Sequence, residues 1–189
     1  MTVSNAQGAT NKNLTTSTTS TQKDAGPRDL ASLIRALRSN YAKNMANLQA
    51  RWVALSVCRN SEAQFIKYCE INLDDMTWTI PAERRKIGQD HVVPITDAMS
   101  ALLLEAAKNQ PALADYVFVT QGSLLQAAKG VRAKSLRSAF FEWALSEGKF
   151  PLELIEAQLG RRPSTTDTAY SRKKMMQAWA AHLMGDANV

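Results

Sequence analysis

The chain has 189 residues and a formal net charge of +6 at pH 7, from 23 Lys and Arg residues against 17 Asp and Glu residues. This surplus favours a polyanionic partner. Hydrophobic residues make up 45% of the chain, which is enough to bury a core and excludes a wholly disordered protein. We expect neither a membrane span nor a secretory signal, because no apolar run approaches ~18 residues. A cytoplasmic protein with one main domain is the expectation from these features.

The N-terminal residues have the composition of a disordered tail. Residues 1–27 contain almost nothing that could fill a core, and 15–21 contain only Thr and Ser. We expect one domain over 28–189. Its first helix should begin near Asp29, a candidate N-cap that precedes apolar residues at helical spacing. A second helix is predicted over 43–58. Its expected buried residues are Met45, Leu48, Trp52 and Leu55.

The middle of the chain carries the sheet signal. A turn is predicted at 59–62, then a short helix through Phe65 and Ile66. Three short runs of β-branched and aromatic residues follow at 71–73, 76–80 and 91–95. They predict a small antiparallel sheet whose last strand, with Pro94, lies at an edge. The basic residues expected at the tip of the last hairpin are Arg84, Arg85 and Lys86.

Helical periodicity resumes after the sheet. The predicted helices are 97–108, a short segment at 123–129, 134–146, 152–159 and 174–184. Together these elements predict a mainly α, α+β domain with a small three-stranded antiparallel sheet. The side chains assigned to the core include Cys58, Cys69 and the four tryptophans, Trp52, Trp78, Trp143 and Trp179.

Several kinds of enzyme site find no support in the sequence. His91 and His182 are the only histidines, and the carboxylates are scattered, so a zinc or two-metal hydrolase is not favoured. The two cysteines are too few for a disulfide scaffold and are not spaced as in a metal knuckle. There is no Gly-rich phosphate loop ending in Gly-Lys-Ser/Thr and no Gly-x-Ser-x-Gly elbow. We therefore expect no metal site and no cofactor.

What remains is a series of cations that ends in a tyrosine. In chain order it consists of Arg59 opening Arg-Asn-Ser-Glu, Lys86, Lys134-Ser135-Leu136-Arg137, Leu159-Gly160-Arg161, and Tyr170 nine residues after Arg161. This order and spacing resembles the tyrosine recombinase, or phage integrase, family. The family shows Arg-x-x-Glu, a hairpin Lys, His-x-x-Arg, Leu-Gly-His or a Trp equivalent, and a nucleophilic Tyr at a similar distance. Segments 78–86, 91–95 and 175–179 are also similar to phage and genomic-island integrases, so the resemblance covers the chain from about Asp29 onward.

The resemblance implies a reaction and a role for each residue of the series. Family members cut and rejoin DNA at specific sites through a covalent 3′-phosphotyrosine and without a metal ion. By this resemblance Tyr170 is the nucleophile and Lys86 protonates the departing 5′ oxygen. Arg59 and Arg137 would hold the scissile phosphate, since a guanidinium donates as a fork that one lysine cannot copy.

The sequence departs from the family at two of these positions. Lys134 stands where the family usually has His, and Arg161 stands where it has His or Trp. Arginine can scarcely act as a base, and lysine can do so only after strong desolvation, so removal of the Tyr170 proton is the step that these changes weaken. In addition, the connection between 117–119 and Lys134 is short. The tail at 1–27 is too small to be the separate core-binding domain that relatives carry.

The implied partners are double-stranded DNA and further copies of the chain, because recombination in the family uses a tetramer on two duplexes. An apolar stripe after the tyrosine is expected to dock on a neighbouring copy; it comprises Met176, Trp179, Ala180 and Leu183. Two alternative functions remain open at this point. One is a non-catalytic integrase-derived DNA-binding regulator, or a decayed integrase fragment, and the other is a type IB topoisomerase.

Alternatives also remain for individual residues. Arg59 and Arg137 could form surface ion pairs with Glu62 and Glu142, although the spacing favours the phosphate role. Other basic residues are expected to contact the DNA backbone or to lie in solvent; these are Arg84, Arg85, Arg162, Arg172, Lys173 and Lys174.

Overall fold

A computed structural model describes residues 45–109, 114–118, 133–163 and 166–185. The predicted tail, the helix near Asp29 and the segment 123–129 lie outside these residues. The described part of the chain contains six α-helices and three strands. The helices are α1 (Met45–Ser56), α2 (Asn60–Ala63), α3 (Asp97–Lys108), α4 (Ala133–Ser146), α5 (Leu152–Gln158) and α6 (Thr166–Met184). The strands are β1 (Ile71–Asn72), β2 (Thr77–Ile80) and β3 (His91–Pro94).

The three strands form one antiparallel sheet in the order β1-β2-β3. Trp78 on the central strand lies opposite Ile71 on one side and Val93 on the other. Pro94 lies on the edge strand opposite Thr77, where its missing N–H costs no ladder hydrogen bond. The predicted mainly helical α+β fold with a small sheet is confirmed.

Buried aromatic rings join the sheet to the helices. Trp52 of α1 packs edge-on against Trp78 at 5.5 Å between ring centroids and against Phe118 at 5.9 Å. Trp179 of α6 lies 5.1 Å from the Trp143 ring of α4. All four tryptophans are buried, as predicted.

Three local predictions around the sheet are wrong. The predicted turn at 59–62 is the short helix α2, whereas Ile66 lies in no helix and Phe65 is exposed. Arg59 is the N-cap residue of α2, and Glu62 accepts a hydrogen bond from the Arg59 backbone N–H, which starts the helix earlier than expected. Cys69 is exposed, while Cys58 is buried as predicted.

The last helix also differs from its prediction. It begins at Thr166 rather than at 174, so Tyr170 lies within it. The apolar stripe that was expected to dock on a neighbouring copy is buried in the core of this chain instead. The stripe is therefore accounted for by the fold. None of the described helices is long and apolar enough to cross a membrane.

Candidate active site

Three of the predicted arginines come from separate elements that meet at one place. Arg137 lies on α4 and donates a hydrogen bond from Nη1 to the Val57 carbonyl oxygen. Its Nη2 donates to the Leu159 carbonyl oxygen at 2.6 Å. Val57 precedes Arg59 by two residues, and Leu159 precedes Arg161 by two. The fork of Arg137 thus joins the segments that carry the other two arginines, and we call Arg59, Arg137 and Arg161 the arginine cluster.

The sequence Leu-Gly-Arg places Arg161 by ending a helix. The Gly160 N–H donates to the Ala157 carbonyl and the Arg161 N–H donates to the Glu156 carbonyl, which is the Schellman pattern of a helix C-terminus. Gly160 has φ +63, in the left-handed region that favours glycine. The Arg161 side chain is exposed, and its guanidinium carbon lies 5.5 Å from the centroid of the Phe141 ring.

The cluster is electrostatically coupled. Burial lowers the pKa of Arg137 to about 10, and the positive charges of Arg59 and Arg161 also lower it while Glu62 opposes them. Arg137 is still a cation at neutral pH. Like charges held this close favour binding of an anion, which would relieve their repulsion.

One buried carboxylate balances this positive charge. Glu62 is 2% exposed, and its Oε1 accepts a 2.8 Å hydrogen bond from Arg59 Nη1. The same oxygen lies 3.6 Å from Arg85 Nε. The ion pair considered for Arg59 therefore exists, but the Arg59 side chain remains 39% exposed and open to a ligand. Arg137 forms no ion pair with Glu142, although the structure describes both residues.

The hairpin differs from its prediction, since two of its three basic residues point inward. Arg84 binds the Glu70 carboxylate and the Phe65 carbonyl. Arg85 is 7% exposed and donates to the Gly160 carbonyl at 2.9 Å. Neither is a solvated contact residue. Lys86 alone of the three is exposed. No local signal distinguishes these neighbours in the sequence, because the partner of Arg85 lies 75 residues away.

Tyr170 is 80% exposed on α6, and Arg172, two residues later, is fully buried. Side chains two positions apart on an α-helix point in roughly opposite directions, so the burial of Arg172 places Tyr170 on the solvent-facing side of α6. Arg172 donates to Gln158 Oε1 at 2.6 Å and to the Val92 carbonyl at 2.7 Å. The expectation of a solvated or phosphate-facing Arg172 is wrong. No hydrogen bond joins the Tyr170 phenol to the arginine cluster in the part of the chain that is described.

A buried polar network lies behind the cluster. Gln158 donates from Nε2 to the Ser56 carbonyl at 2.9 Å. The backbone carbonyl oxygen of Gln158 lies 3.1 Å from His91 Nε2. Burial lowers the pKa of His91 to about 3, and the charges of Arg172 and Arg85 act in the same direction. His91 is therefore neutral and donates from Nε2 to this carbonyl. No local signal in the sequence indicates this contact, by which His91 helps to join β3 to the end of α5.

Comparison with known proteins agrees with the site described above. No protein-family model matches the chain. The prophage integrase IntA of Escherichia coli strain K12 is 28% identical over 177 aligned residues, which cover 82% of this chain and 42% of that protein. The prophage integrase IntZ of the same strain is 28% identical over 151 residues, with coverage of 69% and 37%. The chain thus spans about two fifths of the length of these curated relatives.

Solved structures show the same fold. The crystal structure of XerA recombinase matches with a TM-score of 0.54 and 17% identity, over 87% of this chain and 65% of that chain. XerH site-specific recombinase, bound to its difH substrate in a pre-cleavage complex, matches with a TM-score of 0.53 and 18% identity, over 83% and 51%. The chain has the fold of a tyrosine recombinase catalytic domain. The predicted family resemblance is confirmed.

Within this fold, the six predicted site residues have different surroundings. Arg59, Arg137 and Arg161 form the cluster. Lys134 is the second residue of α4, three positions before Arg137, and its side chain lies outside the described part. Lys86 lies in the turn that follows Arg85, and Tyr170 lies on α6.

Proposed function

We propose that this chain is the catalytic part of a site-specific DNA recombinase of the integrase type. It would cut and rejoin DNA through a covalent 3′-phosphotyrosine at Tyr170, without a metal ion. The observation that carries the proposal is the fork of Arg137, which joins the segments bearing Arg59 and Arg161 into one positive site. The likeness to prophage integrases supports the same activity.

The arginines suit the task of holding a phosphodiester. A guanidinium has five N–H donors, and the backbone contacts of Arg137 use two of them. The remaining donors of Arg137, with the exposed part of Arg59, can bind the two non-bridging oxygens of the scissile phosphate. Fixed cations would then stabilise the charge of the pentacoordinate transition state, as metal ions do in other phosphoryl-transfer enzymes.

The bond changes assign the remaining roles. The exposed Tyr170 phenol gives its proton to solvent, its oxygen attacks phosphorus, and the bond from phosphorus to the 5′ oxygen breaks. Lys86 gives its proton to that oxygen, which leaves as a hydroxyl. Because the phosphotyrosine ester conserves the bond energy, the 5′ hydroxyl of a second strand can reverse the step. Both Lys86 and Tyr170 are exposed, so a bound duplex can reach them.

The proposed partners are duplex DNA and other copies of the chain, as a tetramer on two duplexes in the cytoplasm. The net charge of +6 and the cluster favour phosphate contacts. Affinity should therefore fall steeply as salt concentration rises. The DNA-bound state of the structurally similar XerH supports a DNA partner.

Covalent trapping tests the activity. Nicked duplexes with a randomised central segment are incubated with the chain and denatured, and the DNA that stays attached to protein is sequenced. Wild type should enrich a sequence and form a covalent adduct. Tyr170→Phe, which removes only the nucleophilic oxygen, should bind the enriched duplex with similar affinity and form none. Equal adduct from both variants would refute Tyr170 as the nucleophile.

The alternative is a non-catalytic integrase-derived DNA-binding regulator or a decayed integrase fragment. Lys134 and Arg161 favour this alternative, because they replace family residues that take part in proton transfer. A duplex selected by binding alone separates the two functions. If wild type binds that duplex specifically and no adduct forms at any pH between about 6 and 9, the regulator is supported.

A further inference from the structure

We infer that Arg85 is a positioning residue of the candidate active site. It holds the turn that carries Lys86 against the segment that carries Arg161. This inference rests on the proposed function, because it concerns how the leaving-group acid reaches the phosphate.

Arg85 contacts three separate parts of the fold through one guanidinium. Nη2 donates to the Gly160 carbonyl at 2.9 Å, next to Arg161. Nη1 donates to the Gln89 carbonyl at 2.6 Å, within its own hairpin. Nε lies 3.6 Å from Oε1 of Glu62, the carboxylate that also binds Arg59. Arg85 therefore links the hairpin to both sides of the arginine cluster.

The contact with Gly160 is closely fitted. A Cβ on Gly160 would lie 2.6 Å from Arg85 Nη2, closer than real Cβ contacts. The guanidinium occupies the space that the missing side chain leaves. Even the smallest side chain at Gly160 would move Arg85 away from the Gly160 carbonyl.

The same residue begins the turn that carries Lys86. The Gly88 N–H donates to the Arg85 carbonyl at 3.1 Å, which closes a four-residue turn with Lys86 at its second position. The Asp90 carboxylate accepts from the Ala82 N–H at 2.8 Å and closes the base of the hairpin. Because the Arg85 side chain is held at Gly160 and Glu62, the start of this turn is held there too. These contacts argue against a freely mobile loop at this turn.

A change in the leaving group can test this positioning. When sulfur replaces the bridging 5′ oxygen of the scissile phosphate, the departing group is a thiolate, which needs no proton because thiols ionise near ~8.5. A defect in the delivery of the Lys86 proton should therefore be suppressed on the sulfur duplex. A defect in phosphate binding or folding should persist.

Arg85→Met keeps a long side chain with an apolar stem but removes every N–H donor of the guanidinium. We expect the rate of covalent adduct formation to fall about 100-fold on the oxygen duplex, the typical effect of displacing a catalytic group by about 1 Å. On the sulfur duplex the rate should stay within about threefold of wild type. Lys86→Ala should show the same pattern.

Arg84→Met is the matched control, because Arg84 lies in the same hairpin but binds Glu70 and the Phe65 carbonyl instead. It should stay within about threefold of wild type on both duplexes. Thermal unfolding checks that each variant is folded. If Arg85→Met does not fold, Gly160→Ala disturbs the contact from the other side and should give the same sulfur-suppressed defect.

The outcomes separate the two proposals. If wild type forms no adduct on either duplex, the proposed function fails. If wild type is active, the inference about Arg85 is overturned by wild-type rates for Arg85→Met on oxygen, by an equal loss in Arg84→Met, or by a loss that persists on sulfur in a folded variant.

Discussion

Glu62→Gln should destabilise the domain by about 3 kcal/mol while keeping the size and shape of the side chain. The carboxylate is 2% exposed and is the counterion shared by Arg59 and Arg85. Gln retains an oxygen that can accept from the Arg59 backbone N–H, so the hydrogen bond that starts α2 can persist. The substitution removes the charge and also places an NH2 donor where Oε1 accepts from Arg59 Nη1.

The magnitude follows from the two ion pairs. Removal of one partner from a buried pair costs about 3 to 5 kcal/mol, because the other charge stays buried without compensation. Arg85 is such a partner, but its Nε is 3.6 Å from the carboxylate, so we take the low end of that range. Arg59 adds little, because its side chain is 39% exposed and water screens its pair. A loss of about 3 kcal/mol lowers the unfolding midpoint of a chain of this size by roughly 6 to 12 °C.

Chemical and thermal unfolding of wild type, Glu62→Gln and Glu62→Ala measure this loss. Glu62→Ala should lose about 1 kcal/mol more, since it also removes the cap. Sodium sulfate compared with sodium chloride at equal ionic strength gives a second measurement. The uncompensated arginines of Glu62→Gln should bind sulfate, so sulfate should stabilise that variant more than wild type. A loss below about 1 kcal/mol, or equal sulfate stabilisation of both proteins, would refute Glu62 as the counterion of the cluster.

Three further outcomes are expected. Gly160→Ala should cost about 2 kcal/mol or more, because φ +63 strains any residue with a Cβ and that Cβ also meets Arg85; an unchanged free energy of unfolding would contradict the tight contact. Burial lowers the pKa of His91 to about 3, so between pH 6.5 and 3 the unfolded chain binds a proton that the folded chain does not, and stability should fall as pH decreases, by about 2 kcal/mol from pH 7 to 5. His91→Gln should flatten this dependence; an equal slope in wild type and His91→Gln would count against a buried neutral His91. Tyr170→Phe should change stability by less than about 0.5 kcal/mol, since Tyr170 is 80% exposed, and a larger loss would mean that the phenol has a structural role.

The sequence by itself determined the secondary structure wherever a residue pattern is local. The prediction of α3 over 97–108 matches its observed bounds. Its signals are local, because apolar side chains recur every three or four residues and Thr96 caps the first turn. The three strands also lie where alternation and β-branched residues predicted them. The beginning of α6 was missed, because the polar residues around Tyr170 carry little apolar periodicity.

The order of motifs also predicted which arginines would meet. Arg59, Arg137 and Arg161 were selected from spacing and family resemblance, and the fold brings their segments together through hydrogen bonds from Arg137. The Leu-Gly-Arg motif carries its own structural signal, since glycine after a helix ends it in a left-handed residue.

Only the tertiary structure decided which of the other cations belong to the interior. Arg85 and Arg172 look like their solvated neighbours in the sequence, yet each is buried against a carbonyl that lies 75 or 80 residues away. Burial of an arginine is stable only where oxygens converge on its donors. That convergence results from the packing of α5, α6 and the hairpin, so no window of neighbouring residues contains it.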